Sequence, residues 1–146
     1  MTIPCRRGDF VDCLFPFAER PSSPGPMRHI AYVQTLLRLP DGRLRVLVML
    51  TTTSPKMITR IPEGLALAVS AEKSVAMGMR NAFVIDVHRL AVLPLEPTWF
   101  PDRHDNHFVL ARADEALRAA VTRRYDEMLA RYPCPVEVLG PPTRGS

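Results

Sequence analysis

The sequence predicts a small, mainly β domain closed by one C-terminal helix, and three observations carry that reading. Short runs of β-forming apolar residues recur through the N-terminal part with Gly, Pro and Asp between them, the spacing of a small barrel or sandwich. The last third replaces that pattern with an uninterrupted amphipathic stretch. At 146 residues, 47% hydrophobic and 23% charged, the chain has the size and composition of one globular domain that needs no metal or disulfide staple.

The elements follow in order. Gly8-Asp9 is a turn signal, and Phe10–Phe15 is rich in β-formers until Pro16 stops it. Pro21-Ser22-Ser23-Pro24-Gly25-Pro26 favours neither regular structure. Ile30–Leu39 and Leu44–Leu50 are apolar runs joined around Asp41-Gly42, a strong hairpin signal. Alternation puts Leu44, Val46, Val48 and Leu50 on one face of the second run, and Arg45, Leu47 and Met49 on the other. Thr51-Thr52-Thr53-Ser54-Pro55 closes that strand. After the turn at Pro62-Glu63-Gly64, Leu65–Val69 reads as a strand. Ser70 then caps a helical turn over Ala71–Met77, which Gly78 ends. Ala82–Asp86 and His88–Leu93 read as two further strands, the second stopped by Pro94.

From about 112 to 131 there is neither Gly nor Pro, and Leu117, Val121, Tyr125, Met128 and Tyr132 recur at helical spacing, the stripe of a helix docked on the sheet. Arg118, Arg123, Arg124 and Arg131 fall on or beside its polar face, with Asp114 spaced to pair with Arg118. One domain over 1–132 is expected, followed by a Pro- and Gly-rich flexible tail over 133–146.

The net charge is +4, and of 19 basic residues only Lys56 and Lys73 are lysine. Arginine forks match phosphate oxygens in a bidentate way, so this balance suits a polyanion such as RNA. A codon bias toward Arg, Ala and Pro accounts for the count equally well. Cys5, Cys13 and Cys134 match no ligand spacing and read as reduced thiols. Arg6 and Arg7 have no apolar run behind them, so no signal peptide is expected. The longest nearly uncharged stretch, Val46–Pro55, falls well short of the roughly 20 residues that span a bilayer. A cytoplasmic protein with no membrane partner is the expectation.

No Gly-rich phosphate loop, GxSxG elbow, HExxH or Cys-x-x-Cys is present. The histidines are His29, His88, His104 and His107. His104 and His107 with Asp102 and Asp105 would make a metal site, but a surface loop containing histidines is the commoner meaning. Neither metal nor cofactor is expected.

The order of segments resembles the MazF/PemK toxins. Gly8-Asp9-Phe10-Val11-Asp12-Cys13-Leu14-Phe15-Pro16 is similar to their opening strand, Gly-Asp and hydrophobics ending in Phe-Pro. Gly25-Pro26-Met27-Arg28-His29-Ile30-Ala31-Tyr32-Val33 sits where the PemK-like subgroup has Gly-Pro leading into Arg-Pro-Ala-Leu-Val. Thr53-Ser54-Pro55-Lys56 with the turn at Pro62-Glu63-Gly64 resembles a Thr-Ser-Lys segment and its Pro-Gly-Glu turn. Gly78-Met79-Arg80-Asn81 and Ile85-Asp86 resemble Gly-Leu-Arg and Phe-Asp, and Leu93-Pro94 and Trp99-Phe100 resemble Leu-Pro and a closing aromatic pair. The resemblance runs from Gly8 to Phe100. It implies an SH3-like barrel, a homodimer, metal-independent cleavage of single-stranded RNA, and neutralisation by a cognate antitoxin.

Cleavage of this type has the ribose 2′-hydroxyl attack its own phosphate, leaving a 2′,3′-cyclic phosphate and a 5′-hydroxyl. It needs in-line positioning, charge neutralisation on the phosphorane and two proton transfers. The resemblance implies an arginine at the start of the second strand and a Thr or Ser at the end of the third. An ungapped match puts His29 at the arginine position, with Arg28 one residue earlier. Either a shift brings Arg28 into place with His29 beside it as a titrating acid or base, or the centre is altered and the domain only binds nucleic acid or protein. The catalytic candidates are therefore Arg28, His29, Thr53 and Ser54. Lys56, Arg80 and Asp86 are substrate-binding candidates. Each has a plainer reading: an edge histidine, strand-end turn hydroxyls, solvated cations and a turn aspartate. Trp99 and Phe100 read as base-stacking groups or, more simply, as core.

Overall fold

The central hairpin forms as its turn chemistry dictates. In the computed structural model, which describes residues 4–102, 108–132 and 137–142, β2 (His29–Arg38) and β3 (Leu44–Thr52) pair antiparallel, with Val33 opposite Val48 and Arg38 opposite Leu44. Asp41 closes the turn by accepting the Arg43 N–H at 2.9 Å. β1 (Asp9–Cys13) lies on the other side of β2, and ends before Pro16 because proline cannot donate to the ladder. Two short helices follow β3: α1 (Pro55–Ile58), then α2 (Ala71–Ala76) after strand β4 (Ala66–Val69). The Ser70 side chain accepts the Lys73 N–H, the cap its position predicts. β5 (Phe83–Pro94), β6 (Val109–Arg112), α3 (Glu115–Arg131) and β7 (Val138–Leu139) complete the chain.

The strands form one sheet in the order β4-β5-β3-β2-β1-β6, antiparallel throughout except for β7, which pairs parallel with β5. The mainly β class and the C-terminal helix are as expected. The sheet is not closed: its end strands, β4 and β6, are not paired with each other. No helix among the described residues is long and apolar enough to cross a membrane.

Both faces of the sheet are covered. Val46, Val48 and Leu50 pack with Val11, Val33, Trp99, Phe100 and Phe108 on one side. Phe10, Tyr32 and Met49 pack with Leu117, Val121 and Met128 of α3 on the other. Trp99 and Phe100 are thus core residues rather than stacking platforms. The helix stripe buries as its spacing predicts, with Tyr125 and Tyr132 at its partly buried margin.

Several expectations change. The two strands read over Ala82–Asp86 and His88–Leu93 are one bent strand. Between Met49↔Leu90 and Thr51↔Ile85, two steps along β3 answer five along β5, so Asp86–Arg89 bulge out of that ladder. There β5 turns to β4, with Ala66 opposite Asp86. β6 was not legible, and it precedes the helix on the edge beside β1. Asp114 does not pair with Arg118. It caps α3, accepting the Leu117 N–H at 2.7 Å, and Arg118 donates to the Ala113 carbonyl instead. Arg124 and Arg131, expected on a solvated face, donate to the carbonyls of Gly64 and Glu63 and tie that turn to the helix.

The expected flexible tail is partly structured. Val138 and Leu139 pair with Leu90 and Ala91, and Leu139 is buried. Gly140, at φ +113°, lies where a Cβ would sit 2.1 Å from the Val92 carbonyl oxygen, so only glycine fits that approach. Arg45, nearly buried, donates to the Pro141 carbonyl at 2.7 Å and holds the segment down. Residues 133–136 and 143–146 of that expected tail lie outside the described residues.

Candidate functional site

The end of β1, the start of β2 and the end of β3 meet beside the α2–β5 turn, and a cleft of about 940 Å³ opens between them. Register explains the convergence. The β2–β3 ladder runs to Ala31↔Leu50, and continuing it by two residues sets His29 opposite Thr52. On its other side His29 pairs with Cys13. Thr51 secures this corner by donating its hydroxyl to the Ile30 carbonyl at 2.7 Å.

Arg28, His29, Thr53, Ser54 and Arg80 all line the cleft. Their circumstances differ. The Ser54 hydroxyl accepts the Met57 N–H at 3.4 Å as the cap of α1, and its backbone N–H goes to Thr52 Oγ1. Ser54 thus does the turn chemistry that its plainer reading gave it. Thr53 is exposed on the cleft wall, and Arg80 is exposed on the turn before β5.

Arg28 is already occupied. Its guanidinium donates to Asp12 at 2.7 Å and also to Asp102. These hydrogen bonds, Asp12 first and Asp102 next, push its pKa further up, so it stays a cation at any working pH. Both bonds come from Nη1, so that nitrogen is turned toward the carboxylates rather than toward an incoming phosphate. Asp12 and Cys13 are strand neighbours that point to opposite faces. Arg28 reaches Asp12 while His29 pairs across from Cys13, and both side chains line the cleft.

His29 is half-buried, and its pKa is lowered, first by loss of hydration and then by the positive charge of Arg89, with Asp12 opposing. The imidazole is consequently neutral near pH 7 and able to accept a proton. Arg89 stands on the β5 bulge and lines the same cleft. It escaped the sequence reading because alternation fails through a bulge, so nothing in the local pattern shows which way residue 89 points. Phe17, 50% exposed on the cleft wall, also went unremarked. The signal that could have found it is an aromatic placed just beyond a Pro-stopped strand.

Two candidates lie elsewhere. Lys56 is exposed on α1 and lines no part of the cleft. Asp86 lies in an adjoining hollow with His88, and its carboxylate accepts the His88 N–H at 3.0 Å, as a turn aspartate does. Burial raises the Asp86 pKa, against the opposing His88 N–H and Arg89 charge. The candidate metal pair His104 and His107, with Asp105, lies outside the described residues. Among the described residues no three His, Cys, Asp or Glu side chains gather as metal ligands.

The chain matches no protein-family model, and no curated protein matches it significantly.

Proposed function

We propose that this cleft binds single-stranded RNA and cleaves it without a metal, as a toxin-type endoribonuclease of the MazF/PemK kind. The observation that carries the reading is one open cleft lined by the His29 imidazole and two guanidiniums, Arg80 and Arg89, with burial and Arg89 lowering the His29 pKa. His29 takes the proton from the 2′-hydroxyl as it attacks phosphorus. Arg80 and Arg89 hold the negative charge of the phosphorane, and the leaving 5′-oxygen takes a proton from solvent. Thr53 is a hydrogen-bond donor to a phosphate oxygen. Phe17 gives a flanking base a ring to stack on, a contact worth roughly 1–3 kcal/mol. The sheet bent at the β5 bulge supports an SH3-like small barrel, and a homodimer and a cognate antitoxin belong to the same reading.

A second reading rests on Arg28. With that guanidinium paired to Asp12 and Asp102, the domain is a small β module that binds nucleic acid or protein without cleaving. Purified protein incubated with single-stranded RNA in EDTA separates the two. Cleavage to cyclic-phosphate ends that His29→Ala abolishes supports the nuclease. Intact RNA with salt-sensitive binding supports the binder. Cleavage that EDTA stops overturns the metal-independent mechanism.

A further inference from the structure

A second charged hollow lies at the opposite end of β1 from the cleft, about 13 Å away along the strand. It measures about 340 Å³, and Arg6, Arg7, Arg112 and Arg118 surround Gly8 there. Gly8, at φ +95°, is what lets them gather: a Cβ at this position would lie 2.5 Å from Arg118 Cδ, so any other residue would push that side chain off the turn.

Three of the four guanidiniums, those of Arg7, Arg112 and Arg118, are held in place by part of their forks. Arg118 Nη1 donates to the Ala113 carbonyl at 2.6 Å, and Arg7 Nε donates to the Gln34 carbonyl at 2.7 Å. Arg112 Nε lies 3.2 Å from Asp9 Oδ1, and Asp9 Oδ2 accepts the Arg6 backbone N–H at 2.9 Å. The remaining guanidinium nitrogens have no acceptor among the described residues. Four cations meet one carboxylate in the lining, a balance of three positive charges (four minus one).

A second kind of donor lies near them, outside the lining itself. Tyr32 is fully buried, and its hydroxyl has no hydrogen-bond partner among the described residues. The charges that act on it are those of Arg7, Arg118 and Asp9, all of which line the hollow. Burial pushes the phenol up to about 12, so it keeps its proton at neutral pH. A buried hydroxyl with no acceptor is costly, and an anionic oxygen that reached it from the hollow would relieve that cost.

We infer that this hollow is a phosphate-binding site, with Arg7, Arg118 and the Tyr32 hydroxyl as its donors and Arg6 and Arg112 at its mouth. Several forks around a dense anion suit the many acceptor oxygens of a phosphate better than the two of a carboxylate. The site is independent of whether the larger cleft cleaves RNA.

The test is titration of the full chain with inorganic phosphate, against acetate at matched ionic strength, followed by calorimetry. Phosphate is expected to bind and acetate not to. Arg7→Gln with Arg118→Gln should weaken phosphate binding tenfold or more, roughly as the loss of charged hydrogen bonds predicts. Tyr32→Phe, checked for an unchanged fold by circular dichroism, should weaken it severalfold. A short oligoribonucleotide with and without a 5′-phosphate, bound to the His29→Ala protein so that it stays intact, then tells the source. Binding that needs the end group assigns a terminal phosphate, and equal binding lost in the Arg7/Arg118 variant assigns the RNA backbone. Equal heats for acetate and phosphate, or phosphate binding unchanged in the arginine variant, overturns the proposal. So does an acidic peptide that binds through these arginines more tightly than every phosphate compound.

Discussion

The two ends of β1 hold arginines in opposite company. At the Cys13 end, Arg28 donates to both Asp12 and Asp102, and Arg89 reaches the cleft from far along the chain on β5. At the Gly8 end, Arg6, Arg7, Arg112 and Arg118 line a hollow whose one carboxylate, Asp9, is set against Arg112 alone of their guanidiniums. The residue type is the same at both ends, and the neighbouring carboxylates decide what it can do. A cation count taken from sequence therefore overstates the charge available at the motif and understates it elsewhere.

The sharpest way to break this contrast is to remove each cleft arginine singly. Arg89→Ala is expected to lower RNA cleavage about 100-fold or more in single-turnover assays, the usual cost of losing a donor to a developing oxyanion. Arg28→Ala should stay within tenfold of the parent. Reversed magnitudes would return the catalytic role to Arg28. A smaller effect comes from the carboxylates. Asp12→Asn with Asp102→Asn frees the Arg28 guanidinium and should tighten RNA binding a few-fold at low salt, with a steeper salt dependence in a fluorescence titration. Unchanged affinity would mean that Arg28 is out of reach of the strand.

The smallest expected effect is on pH dependence. Because His29 must be neutral to accept a proton, cleavage should fall as pH drops through its lowered pKa. Arg89 helps hold that value down, so Arg89→Ala should move the acid limb of residual activity to higher pH. Asp12→Asn removes an opposing influence and should move it lower. Acid limbs that coincide in all three proteins would show that His29 does not set them.

What could be read from sequence was what local chemistry decides. The Asp41-Gly42 hairpin, the Ser70 cap and the Leu117–Tyr132 stripe each depend on neighbours within a few residues, and each formed. Arg28, His29, Thr53, Ser54 and Arg80 line one cleft, which strand order and β register explain. Long-range partners stayed hidden. Asp114 had two roles open to it, and the helix terminus took precedence over the arginine four residues on. The bulge at Asp86–Arg89 broke the alternation that would have shown β5 as one strand and would have placed Arg89. β6 and β7 are too short, at four and two residues, to show a period of their own.

The placement of β7 has a consequence for biosynthesis. β3 runs along one border of β5. β4 covers the other border only at Phe83–Asp86, leaving Leu90 and Ala91 for Val138 and Leu139. Those partners are 48 positions later (138 minus 90) and leave the ribosome after every other strand of the sheet. Until they emerge, the nascent chain carries an open β border able to zip onto a neighbouring molecule. Translation that stalls before position 138 should yield a sticky, protease-sensitive intermediate, whereas emergence of Val138 and Leu139 seals it.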